Sequence, residues 1–71
     1  MSKADKMFEE LGYEKILETK HHIQYAKEEY YICFNVFHKT VTKIEDNVFN
    51  GKITLQELKS INEKVRELQW I

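Results

Sequence analysis

Residues 30–37 read Tyr-Tyr-Ile-Cys-Phe-Asn-Val-Phe and have the strongest β propensity in the chain. Side chains alternate between the faces of a strand. Ile32, Phe34 and Val36 therefore fall on one side, and Tyr31, Cys33 and Phe37, with Asn35 among them, on the other. Both sides are apolar. A chain of 71 residues forms one small domain, 1–71, and a domain of this size buries only about 60% of the surface its unfolded form exposes. It ordinarily covers one face of a sheet, so the second face of this strand is what the fold has to account for.

The flanking segments supply the rest of a compact domain. Ala4, Met7, Phe8 and Leu11 recur on one helical face. Ser2 is placed to cap that helix, Asp5 adds a favourable charge in its first turn, and Gly12 is a natural left-handed stop. Residues 13–20 and 21–27 read as two further strands, the second with Ile23 and Tyr25 in phase, and 40–45 (TVTKIE) as a β-branched fourth. Ile16 and Leu17 are adjacent, so they point to opposite faces. Residues 46–52 form a connector containing the turn dipeptide Asn50-Gly51.

The last helix has Thr54 as N-cap, Glu57 completing a capping box, and Ile53 and Leu58 at the positions of a hydrophobic staple. Its apolar stripe is Leu55, Leu58, Ile61, Val65 and Leu68. The spacing therefore predicts an α+β fold of order α-β-β-β-β-α. It has a four-stranded, mainly antiparallel sheet with both helices packed on one face. The expected core is Met7, Phe8, Leu11, Ile23, Ile32, Phe34, Val36, Leu58, Ile61, Val65 and Leu68.

Eleven basic residues balance twelve acidic ones, for a net charge of -1. Nucleic-acid binding draws its affinity from an excess of positive charge, and that excess is missing. The single cysteine forms no internal disulfide and fits a reducing cytoplasm. The charged N-terminus lacks a signal core and no apolar run reaches membrane-spanning length. The expectation is a cytoplasmic protein with no membrane contact.

Two stretches, LGYEK at 11–15 and ITLQELKSINEKVRELQWI at 53–71, carry a resemblance. Together they resemble a group of small uncharacterised phage and prophage proteins of low-GC Gram-positive bacteria, in which a meander separates an LGYEK-like turn from a closing I-T-x-x-E-L-K-x-I-N helix. The resemblance spans nearly the whole chain and is most specific over Ile53 to Asn62. It implies a bacterial or phage cytoplasmic setting and brings no activity or site residue.

Candidate chemistry is sparse. His21 and His22 are neighbours on a strand and point apart, and neither C-x-x-C nor H-x-x-x-H occurs, so no metal or cofactor is expected. Cys33 lies between Ile32 and Phe34, as a packing thiol rather than a nucleophile. The pairs Glu9-Glu10, Glu28-Glu29 and Glu45-Asp46 read as solvated charge. With no small-molecule substrate evident, an enzyme is not expected. The favoured reading is a protein-interaction module, contacting a partner or its own copy through Tyr31, Cys33, Phe37 and Leu17. The competing one is a nucleic-acid-binding module in which Tyr25 and Tyr31 stack bases beside Lys15, Lys27 and Lys43.

Overall fold

A computed structural model describes residues 2–45 and 51–71. The element order is α1 (Lys3–Glu10), β1 (Glu14–Glu18), β2 (His22–Lys27), β3 (Tyr30–Asn35), β4 (Thr40–Glu45) and α2 (Leu55–Glu67). The four strands form one antiparallel sheet in the order β1-β2-β3-β4, and both helices pack on the same face of it. The fold is α+β, with the order read from the sequence.

Local chemistry sets the boundaries. Ser2 Oγ accepts the Asp5 N–H at 2.9 Å and opens α1. Gly12 takes φ +93° and turns the chain into β1. This left-handed conformation is one that only glycine adopts without a steric cost. Thr19 Oγ1 accepts the N–H groups of His21 and His22, shaping the β1–β2 turn. β3 stops at Asn35, because the Asn35 side chain accepts the His38 N–H at 2.9 Å and folds residues 36–39 into a turn. Phe37 consequently leaves the strand and is 71% exposed. The Asn50 half of the Asn50-Gly51 turn and Asp46 of the Glu45-Asp46 pair lie outside the described residues.

The core is aromatic. The Phe8 ring of α1 stacks on Tyr25 at 4.0 Å and meets Tyr13 and Phe34 edge-on. Ile23, Ile32 and Ile61 complete the buried cluster, and Leu11, Val36, Val65, Leu68 and Trp70 pack around it.

Two leucines of the apolar stripe, Leu55 and the expected core residue Leu58, do not belong to it. α2 turns Glu57, Ser60, Ile61 and Lys64 inward, leaving Leu55 64% and Leu58 44% exposed. The inward stripe keeps helical spacing but is rotated by about one residue from the apolar one. Two ion pairs accompany the rotation and offset the cost of burying its charges. Glu57 reaches Lys43 on β4 at 2.8 Å, and Lys64 reaches Asp5 on α1 at 3.4 Å. Lysine and glutamate stems also cover apolar surface while their heads find partners.

Candidate functional site: a neutral open sheet face

The strand register sorts every strand residue onto one of two faces. Lys15–Tyr25–Ile32–Lys43 and Glu18–Ile23–Phe34–Val41 run as rows on the helix side, with their β1 members exposed at the sheet edge. Glu14–Ala26–Tyr31–Ile44 and Leu17–Gln24–Cys33–Thr42 run as rows on the opposite face, with His22, Asn35 and Thr40 beyond them. A register shift between Lys15 and Leu17 decides where Leu17 lies: it pairs with Gln24 and joins the open face. Of the candidate interaction residues, Leu17, Tyr31 and Cys33 thus share one face. Phe37 stands apart in the β3–β4 turn, its ring 4.9 Å from that of His38 and 6.3 Å from that of His21.

The distribution of charge is the inverse of the ordinary one. Half-covered antiparallel sheets normally put polar and charged side chains on the solvent face. Here Lys15, Glu18, Lys27, Lys43 and Glu45 all lie on the helix side, and Glu14, at a sheet corner, is the one strand carboxylate on the open side. The helix-side charges hold the two layers together. Lys15 Nζ meets Asp5 of α1 at 2.9 Å and Glu18 at 2.5 Å. Lys43, only 6% exposed, donates to Glu57 of α2 and, at 2.6 Å, to the Lys52 carbonyl. Tyr13 Oη donates to the other Glu57 oxygen at 2.6 Å, and the Thr54 N–H to the first at 3.0 Å.

Burial by itself would raise the Asp5 and Glu57 pKa values, but their donors outweigh it. Hydrogen bonds from Tyr25 and Lys15 and the charge of Lys64 hold Asp5 at about 2. Hydrogen bonds from Lys43, Tyr13 and the Thr54 backbone hold Glu57 below its ordinary value. Burial, then the hydrogen bond to its carboxylate partner, pushes each of the Tyr13 and Tyr25 phenols up. On the open face, burial against its strand neighbours pushes the Cys33 thiol up, away from the thiolate needed for nucleophilic chemistry.

No family model, curated protein or solved structure matches the chain.

The residues named for nucleic-acid contact do not form a site. Tyr25 is buried under Phe8 with its hydroxyl on Asp5, so it offers no ring to a base. Lys15 and Lys43 are engaged by carboxylates, and Lys27 lies over the Tyr13 ring at 5.5 Å on the helix side. Tyr31 alone remains on the open face. Two shallow hollows, of about 340 and about 310 Å³, flank the helix layer. The first is lined by Asp5, Glu9, Glu14, Lys15 and Tyr25, and the second by residues around Lys43 and Glu57. Their polar groups are largely committed to one another through the hydrogen bonds of Asp5, Lys43 and Glu57. Among the described residues no His, Cys, Asp or Glu cluster is arranged to hold a metal ion, and no helix is long and apolar enough to cross a membrane.

Sequence reasoning misses the inward turn of Lys43, Glu57 and Lys64, and with it the neutrality of the open face. One signal is present. Lys43 and Glu45 share the parity of Val41 on β4, so a register that buries Val41 turns them to the helix side too.

Proposed function

We propose that this chain is a small protein-interaction module whose contact surface is the open face of its sheet. The observation that carries the reading is that every described strand charge except the corner residue Glu14 lies on the helix side, which leaves Leu17, Gln24, Ala26, Tyr31, Cys33, Thr42 and Ile44 as an uncharged patch. Depletion of charge with retention of aromatic and apolar side chains is the composition of an interface core. A surface meant for phosphate would be built the other way round. The resemblance of 11–15 and 53–71 to small phage and prophage proteins supports an accessory role in a bacterial cytoplasm, a compartment that a single cysteine also fits.

In-cell photo-crosslinking tests the reading. A photoreactive phenylalanine analogue placed at Tyr31 or Thr42 should yield discrete protein adducts. The same group at Gln56 or Asn62, on the exposed side of α2, should not. Adducts spread evenly over all four positions, or none from the sheet, would overturn it.

A further inference from the structure

We infer that the open face pairs with a second copy of itself. The inference rests on the interaction reading above and names its partner.

Three observations single out self-pairing. The first is charge. A two-fold interface sets a surface against its own copy, so a charged face repels itself, whereas among the described strand residues this one has a single carboxylate, Glu14, at a corner. A two-fold axis along the middle row would bring that corner over the β1–β2 turn of the other copy, which contains Lys20.

The second is the middle row, Leu17–Gln24–Cys33–Thr42. On that axis each of these residues meets its own kind. Leucine on leucine is apolar contact. A glutamine amide has both donors and an acceptor, and a threonine hydroxyl does both, so each can bond its copy.

The third is that the sheet edges are guarded while the face is not. β1 carries the register shift at Ile16, and an outward carbonyl of β4, that of Lys43, accepts the Gly51 N–H at 3.2 Å. Bulged and covered edges resist strand addition. Pairing through either edge is thereby hindered, and face-to-face pairing closes at two.

The size is adequate for a modest affinity. Four strands about 4.8 Å apart and about 20 Å long give a footprint of roughly 400 Å² per copy. With side-chain relief the pair buries about 1,000 Å², the low end for specific complexes and the size of weak, reversible ones.

Sedimentation equilibrium of the full chain between about 1 μM and 1 mM, a range suited to weak, reversible association, tests this. The expected mass climbs from 8.6 kDa towards twice that value. Over the same range a short bismaleimide should join Cys33 to Cys33 of the partner copy. Gln24→Lys and Thr42→Lys should each weaken association at least about tenfold by desolvating like charges against each other. Both variants should keep the circular dichroism of the parent, and Asn62→Lys on α2 should associate normally. A mass of one chain throughout overturns self-pairing, and so does a dimer indifferent to both sheet variants. The photo-crosslinks separate the two readings: foreign adducts from Tyr31 and Thr42 in a monomeric protein remove the self-partner and leave the interaction face.

Discussion

Lys43→Met should be among the more damaging single substitutions in this domain, although it replaces a charge with an apolar side chain of similar length. The ammonium is buried between Glu57 at 2.8 Å and the Lys52 carbonyl at 2.6 Å. Removing it leaves the Glu57 carboxylate buried with two neutral donors, Tyr13 and the Thr54 N–H, and no counter-charge. Breaking a buried pair on one side costs about 3–5 kcal/mol, and the two remaining donors place this case near 3. A domain of this length has a stability of only about 4–11 kcal/mol. The thermal midpoint should therefore fall by roughly 12–24 °C.

Two features separate this cause from simple loss of packing. Glu57→Gln in the Lys43→Met background keeps an acceptor for Thr54 and removes the unpaired charge, so about 2 kcal/mol should return. The cost should also depend on pH. The folded pKa of Glu57 is lowered from 4.5, so its contribution is full above 4.5 and is lost as pH falls through the folded value. Without Lys43 the carboxyl protonates at higher pH, and the difference between parent and variant should shrink below about pH 4.5. Urea unfolding at several pH values between 7 and 3 measures all of this. A cost that is constant with pH, or a double variant no better than the single, would refute the ion-pair account.

Three further predictions concern the two helices. Asp5 titrates at about 2 against an ordinary 3.8, so its stabilisation is complete above 3.8 and disappears as pH falls towards 2. Asp5→Asn should cost about 2 kcal/mol near neutrality and almost nothing at pH 2, read as urea midpoints. Leu55→Ser and Leu58→Lys should each change stability by less than about 0.5 kcal/mol, because both side chains face solvent. Ile61→Ala, one turn further along α2 and buried, should cost about 2–4 kcal/mol by thermal melt.

The candidate face is partly legible in the sequence. The alternation in 30–37 puts Tyr31 and Cys33 opposite Ile32 and Phe34, and the register keeps them so. Alternation leaves Leu17 undetermined, because Ile16 and Leu17 are both apolar and adjacent, and only the shift at Ile16 orients them. Phe37 has the parity of Cys33, yet a hydrogen bond to the Asn35 side chain ends the strand before reaching it. Tyr25, as an aromatic on a strand, is open to two readings. Burial beneath Phe8 makes it core.

The elements and their order follow from the amino-acid sequence. Ser2, Gly12, the Thr54–Glu57 capping box and the β-branched run at 40–45 act within a few residues of themselves, so their meaning is local and readable. The rotation of α2 and the missing charge on the free face are set by long-range packing. Those outcomes depend on pairs such as Lys43 with Glu57 and Asp5 with Lys64, which are 14 and 59 residues apart in the chain. Periodicity ranks side chains by hydrophobicity and has no means of foreseeing that a lysine will be buried. A buried charge becomes tolerable only when its partner arrives from a distant segment, and in this fold those partnerships accommodate the charges that the register puts on the helix side, leaving Glu14 as the one described strand carboxylate on the other.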